Sequence, residues 1–314
     1  MNKVIKKAAE FLKKNDCFCF LCHKRLDGDT FGAALSLHYA CSYMGKKSYV
    51  RTYKGEKLEK FSFLFSKEMN LDFVVENYVT VDVADYKLLE EEFFNFNFSL
   101  CIDHHEINRI KADLKCIDIK RAATCEIVYL ILKELKIKIT KNIADCLYLG
   151  IVTDTGSFKY QNVSATTHKI AAKLIEKGAD FHKISTLAFS RKTKKRLKLE
   201  KEVISNLEYY FDDRVVVVFI TPDIIERANA TREDCNSVSY IAASFEDAFF
   251  AITAIQEEDG FKISVRSKGE YDSSLFCKKY GGGGHKKAAG CTIKGDRKFV
   301  LESILKTLKE CFGF

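Results

Sequence analysis

The 314-residue chain has one proline, Pro222, and no tryptophan. No Pro/Gly/Ser-rich linker, internal repeat or low-complexity segment appears, which excludes repeat arrays and long disordered tethers. No apolar run approaches the roughly eighteen residues that a membrane span needs. The N-terminus, Met1-Asn2-Lys3-Val4-Ile5-Lys6-Lys7, is basic but leads into an amphipathic pattern. It lacks the apolar run and small-residue cleavage site of a signal peptide, so a cytoplasmic protein is expected. What is present suffices for two domains of ordinary size, because 47% of the residues are apolar and can bury a sizeable core.

Twelve cysteines are scattered along the chain, often inside apolar runs such as Cys17-Phe18-Cys19-Phe20-Leu21-Cys22. Without an export signal they read as buried free thiols, not as a disulfide framework or a structural zinc site. The net charge of +8 suits a polyanionic partner such as nucleic acid. Part of that excess lies between Arg191 and Lys201, where a solvated helix face is an equally good reading.

Along the first half, short apolar runs alternate with helical patterns. Cys17–Cys22, Tyr78–Val83 and Ser99–Ile102 read as strands, and Thr30–Met44 as a helix. Val128, Ile131, Leu132 and Leu135 recur at helical spacing within Ala122–Leu135, and Ala144–Val152 and Ala165–Ile175 continue that way. The expected fold class is therefore α/β, with a mainly parallel sheet flanked by helices. A helical stretch at about Lys192–Leu207 reads as the connection to a second, smaller mixed α/β domain. That domain opens with the strand Arg214–Ile220, and Thr221-Pro222 marks a helix start. Thr231 opens another helix. Glu257-Glu258-Asp259-Gly260 reads as a hairpin turn, and the glycine run Gly281–Gly284 as a loop.

The chemistry concentrates in His23-x-x-x-Asp27-Gly28-Asp29, just after the first strand. Open α/β sheets place their sites at the carboxyl ends of strands. Two aspartates at i and i+2 of extended chain can approach neighbouring positions, and Gly28 lets the backbone turn tightly. Left unpaired in a cleft, three such ligands would repel one another or be poorly solvated; a divalent cation removes that cost. Asp82, Asp103-His104-His105 and Asp154 each end a later apolar run, so four segments deliver Asp or His to one rim. Carboxylate and imidazole without thiolate favour manganese (Mn2+), with magnesium (Mg2+) as second candidate, over zinc. His23, Asp27, Asp29, Asp82, His104 and Asp154 suffice for two ions sharing a bridging carboxylate, roughly 3.5–4 Å apart, which can activate water and neutralise phosphate charge. Hydrolysis of a phosphoryl ester without a covalent protein intermediate is expected. His38, His168 and His182 lie outside these motifs and read as structural or surface residues.

The second half adds Val265-Arg266-Ser267 and the run Gly281-Gly282-Gly283-Gly284-His285, continuing to Gly290. A glycine run lets backbone N–H groups approach a phosphate closely. Arg266 and His285 can add charge-assisted hydrogen bonds. Ser267, Gly282, Gly283 and Gly284 complete the candidate substrate-binding set.

These motifs, in this order, resemble the DHH phosphoesterase superfamily, named for the triplet seen here as Asp103-His104-His105. The C-terminal motif resembles the DHH-associated domain, so the resemblance spans nearly the whole chain. It implies residues 1–190 as the phosphoesterase domain, 191–207 as a helical connector and 208–314 as the substrate-binding domain, with the metal and substrate cleft between the two domains. It also implies that His23, Asp27 and Asp82 hold one manganese and that Asp29, Asp82, His104 and Asp154 hold the other. Asp82 bridges, Asp103 orients its own segment, and His105 faces the substrate phosphate and assists proton transfer. Leu26 and Thr30-Phe31-Gly32 differ from the proline-containing loop of relatives, a change in stiffness and not in ligands.

Two domains and little else resemble the compact branch of that superfamily, the oligoribonucleases (nanoRNases) and 3′-phosphoadenosine-5′-phosphate (pAp) phosphatases. The implied partners are short RNA oligonucleotides and small nucleotides, with no membrane; homodimerisation is compatible with the sequence. Alternatives are an inorganic pyrophosphatase or polyphosphatase, which Ser190-Arg191-Lys192 faintly favours, a linear dinucleotide (pApA/pGpG) phosphodiesterase, and a non-catalytic nucleotide-binding module.

Overall fold

The computed structural model describes residues 3–55, 59–65, 72–235 and 238–314. The chain divides into two units, Met1–Arg191 and Lys192–Phe314. The first contains α1 (Lys3–Lys14), β1 (Phe18–Leu21), α2 (Gly28–Tyr43), β2 (Ser48–Arg51), β3 (Asn77–Val81), β4 (Phe98–Asp103) and β5 (Ala112–Ile117). After these come α3 (Thr124–Glu134), α4 (Lys141–Asp154), α5 (Ala165–Glu176) and α6 (Phe181–Ser185). Its five strands are all parallel, in the order β2-β1-β3-β4-β5.

The three interior strands are those expected from their apolar runs. Strands buried on both faces read as continuous apolar stretches. Phe18, Phe20, Val79, Val81, Leu100 and Ile102 pack with Phe31 and Leu35 of α2, Ile127 of α3 and Leu147 of α4. On the other face, Cys19, Leu21 and Cys101 pack with Val83, Leu89 and Phe93. Cys19 and Cys22 are spaced as C-x-x-C but belong to different clusters, so the spacing does not make a metal pair. All twelve cysteines are free, and all but Cys17 and Cys311 are buried.

The second unit begins with α7 (Lys194–Ser205), β6 (Leu207–Tyr210), β7 (Val215–Ile220), α8 (Pro222–Ala228), α9 (Arg232–Cys235) and α10 (Ser239–Ala243). It continues with β8 (Phe250–Glu257), β9 (Gly260–Ser267), α11 (Ser273–Lys278), β10 (Gly283–His285), β11 (Ala288–Lys294) and α12 (Arg297–Phe312). The sheet order is β10-β11-β9-β8-β7-β6, with only β7 and β8 parallel. α7, expected as a connector, buries Leu199 and Val203 against Val216, Val218 and Ile220. The hairpin between β8 and β9 pairs Glu257 with Gly260, as the turn residues imply.

One expectation needs correction. Gly283, Gly284 and His285 are not a free loop but an edge strand paired with Gly290, Ala289 and Ala288. A Cβ on Gly284 would lie 2.6 Å from the Ala288 carbonyl oxygen, so glycine is required for the close approach of β10 to β11. Among the described residues, no helix is long and apolar enough to cross a membrane.

Candidate metal centre

Parallel strands end on one rim, and β1, β3 and β4 deliver their motifs there. His23 follows β1, Asp82 follows β3, and Asp103 is the last residue of β4. Asp82 adopts φ 60°, a left-handed conformation uncommon outside glycine and a mark of a position fixed by its surroundings. The extended conformation expected of the Asp27–Asp29 pair holds for Asp27, the cap of α2, while Asp29 lies in the first helical turn. Asp27 caps the helix, its Oδ1 accepting from the N–H groups of Asp29 (3.0 Å) and Thr30 (3.1 Å). This leaves Asp27 Oδ2 at 3.3 Å from His23 Nε2. Gly28 serves close packing: a Cβ there would lie 2.4 Å from the Thr153 hydroxyl. That contact brings the start of α2 against the end of α4, where Asp154 is the last residue.

Three sets of donors each lie within 4.8 Å of one another: His23/Asp27/Asp82, Asp29/His104/Asp154 and Asp82/His104/His105. Asp82 joins them. Its Oδ2 lies 3.7 Å from His23 Nε2, and its Oδ1 lies 3.6 Å from His104 Nε2. His104 Nε2 also lies 3.3 Å from Asp154 Oδ2. All six residues expected as ligands thus occupy one place.

The electrostatics explain why this cluster suits cations. Asp29 is fully buried, and burial together with the charges of Asp82 and Asp154 pushes its carboxyl well above the usual range. Burial, then Asp82 and Asp27, pushes Asp154 up to about 8. For His23, burial alone would lower the imidazole, but Asp27 and Asp82 outweigh it and raise it to about 10. His23 Nδ1 is buried without a hydrogen-bond partner among the described residues. Carboxylates that hold protons because they are buried and crowd one another, beside imidazoles aimed at them, form a donor set that divalent cations fit.

Asp103 is in none of the three donor sets. It accepts from the His104 N–H (2.8 Å), His105 Nδ1 (2.8 Å) and Asn108 Nδ2 (2.6 Å). Although burial opposes it, pairing with His105 holds the Asp103 carboxyl below its ordinary value. The same bond raises His105 to about 9 and leaves the half-exposed ring with Nε2 free of protein partners among the described residues.

Sequence reasoning did not find Thr124. Its N–H and that of Cys125 donate to the two oxygens of Asp29 (2.6 and 2.9 Å), and its hydroxyl donates to Asp82 Oδ1 (2.9 Å). Asn108 and Gly150 were also missed. A Cβ on Gly150 would come within 2.6 Å of Asp29 Oδ1. The available signal was faint: a lone Thr opening an apolar helix, and a lone Gly inside one.

Residues 18–151 match the DHH family, N-terminal domain, and residues 212–313 match the DHHA1 domain. The chain carries a DHH domain followed by a DHHA1 domain. Its curated relatives include the bifunctional oligoribonuclease and PAP phosphatase NrnA of Thermus thermophilus, 27% identical over 92% of this chain and 88% of that one. The protein of the same name from Bacillus subtilis is 25% identical over 86% and 87%. Among solved structures, an exopolyphosphatase-related protein from Bacteroides fragilis superposes with a TM-score of 0.83 at 20% identity, covering 99% of this chain and 98% of that one. RecJ from Thermus thermophilus in complex with Mn2+ superposes with a TM-score of 0.57 at 14% identity, over 98% of this chain and 54% of RecJ. These likenesses establish the DHH fold.

In the DHHA1 domain, His285, Ala288 and Arg266 are register partners across β10, β11 and β9. Directly opposed residues of antiparallel strands point to the same face, so Arg266 and His285 share one. His285 is exposed. Arg266 donates to the Val265 carbonyl (3.2 Å) and forms no ion pair among the described residues. Ser267 differs: its hydroxyl donates to the carbonyls of Tyr271 (3.0 Å) and Lys286 (3.2 Å) and accepts from Ser273 (2.9 Å). It fastens the turn, and its one proton is given to those carbonyls.

Proposed function

We propose that this DHH-family phosphoesterase is a cytoplasmic enzyme that hydrolyses short oligoribonucleotides to mononucleotides and removes the 3′-phosphate of 3′-phosphoadenosine-5′-phosphate. The observation carrying this reading is the pair of donor sets joined through Asp82, whose two oxygens face His23 and His104 separately. Relatives named for both activities at this level of identity support it.

His23, Asp27 and Asp82 would hold one divalent ion, and Asp29, Asp82, His104 and Asp154 the other; manganese fits this hard oxygen and imidazole set. Such a pair supplies a water of lowered pKa and neutralises developing phosphate charge. The protein residues do the rest. Asp103 holds His105 through Nδ1, so His105 Nε2 can bind a phosphate oxygen and give a proton to the leaving oxygen. Arg266 and His285 would grip a terminal phosphate or nucleotide, beside the glycine run whose Gly282 N–H is given to the Cys277 carbonyl (2.9 Å).

Purified protein, stripped of metal and reloaded with manganese or magnesium, tests this on a labelled dinucleotide, a short RNA, 3′-phosphoadenosine-5′-phosphate and pyrophosphate side by side. Manganese-dependent turnover of the nucleotides, with little of pyrophosphate, is expected. Turnover of pyrophosphate alone would make the enzyme a pyrophosphatase.

A further inference from the structure

The segment Arg121–Cys125, which ends in the first turn of α3, reaches the whole Asp29/Asp82/His104/Asp154 set. The Arg121 carbonyl accepts from His104 Nδ1 (3.2 Å). That bond puts the proton on Nδ1 and turns the Nε2 lone pair toward Asp82 and Asp154. Asn162 Nδ2 donates to the carbonyls of both Ala122 (3.0 Å) and Asp154 (3.1 Å), tying the end of α4 to this segment. Backbone N–H groups of Thr124 and Cys125 hold both oxygens of Asp29, and the Thr124 hydroxyl holds Asp82 Oδ1.

His23 and Asp27 have a separate frame. Asp27 is held by the N–H groups of its own helix α2, and the His23 N–H faces the Thr30 hydroxyl (3.4 Å). Neither receives a hydrogen bond from 121–125 among the described residues.

We infer that the segment 121–125 frames the His104/Asp154 half of the centre, and that Thr124 is the positioning residue that aims Asp82 Oδ1 at that half. This rests on the two-ion reading of the cluster. Its consequence is an ordered site: the His23/Asp27 half keeps its ion when the other half is disturbed. Outer-shell partners of metal ligands typically change metal affinity by about 10–100-fold.

Thr124→Val keeps the shape and the backbone donors while removing only the hydroxyl. Manganese binding to metal-free protein, followed by calorimetry and by electron paramagnetic resonance, should show two ions per chain for the wild type. For Thr124→Val, one ion should bind with unchanged affinity and the second about 10–100-fold more weakly. At intermediate manganese the signal of a spin-coupled pair should give way to that of an isolated ion. Thr124→Ser restores both, and Thr124→Ala repeats the loss, which separates the hydroxyl from any packing defect. Equal weakening of both ions, or none, overturns the inference. A wild type that binds two ions but cleaves no nucleotide overturns the proposed function and leaves this inference standing. A wild type that binds fewer than two ions removes the basis of both.

Discussion

The two units carry their candidate residues in opposite ways. In the first, Asp29, Asp82 and Asp103 are buried and held by hydrogen bonds, the first two from the start of α3 and Asp103 from His104, His105 and Asn108. In the second, Arg266 and His285 stand on one sheet face without carboxylate partners among the described residues, His285 on a three-residue edge strand. Charge stabilisation needs groups fixed in advance, because reorganising dipoles during a reaction cancels the gain. Gripping a substrate tolerates exposed groups that settle on contact. On the proposed function the difference separates chemistry from recognition, and substitutions in each unit should report on different constants.

Breaking the first unit should have the largest effect. Asp82→Ala removes the one carboxylate common to the His23 and His104 sides. Turnover of dinucleotide and of 3′-phosphoadenosine-5′-phosphate should fall together by roughly 10³-fold or more, the scale of losing several kcal/mol of charge stabilisation. Circular dichroism should be unchanged. Full activity in this variant would remove Asp82 from the centre.

In the second unit, Arg266→Ala and His285→Ala should each raise KM by roughly tenfold, the value of a charge-assisted hydrogen bond, with kcat within a few-fold of wild type. A fall in kcat at constant KM would place these residues in the chemical step. Ser267→Ala is the neighbouring control. It strips partners from buried hydrogen bonds, so it should lower stability by about 1 kcal/mol and leave KM alone.

Much of this contrast is legible in sequence. The candidate ligands of the first unit follow β1, β3 or β4, open α2 or close an apolar helix, and an Asp ending an apolar run is hard to explain by packing. The interior strands β1, β3 and β4 are continuous apolar runs for the same reason. The sheet edges are less legible: β2 and β5 carry Arg51, Asp113 and Lys115, and edge strands half-exposed to water have no apolar run to detect. β10 was hidden because three residues dominated by glycine carry no strand signal; only its partners on β11 define it. Thr124 was equally hidden, because its role arises from contacts with Asp29 and Asp82, far away in sequence.

The smallest effect sharpens the comparison through pH. In the metal-free first unit, Asp154 is held up to about 8 by burial and by its carboxylate neighbours, and Asp29 is raised too. An unfolded aspartate titrates near about 3.9. Between those values the folded unit keeps protons that the unfolded chain releases, so stability falls as pH rises from about 4 to about 8. His23, raised to about 10, acts in the same direction above its ordinary value, its contribution being lost as pH climbs through the folded one. Asp27 and Asp103 are lowered, so their contribution is lost only in acid, below this window. Manganese replaces the bound protons, so its affinity should rise with pH by about tenfold per unit for each proton displaced. In the second unit the buried Glu200 experiences burial too, but Lys192, Arg196 and Tyr240 outweigh it and hold the carboxyl low, so its contribution is lost only in acid, below this window. Hydrogen exchange read separately in the two units, at pH 5 to 8 with chelator or with manganese, checks this. Protection in the first unit should fall with pH under chelator and recover with manganese, while the second stays constant. Protection that rises with pH in the chelated first unit would mean that its carboxylates are not crowded, and the case for a paired cation centre would lose its electrostatic basis.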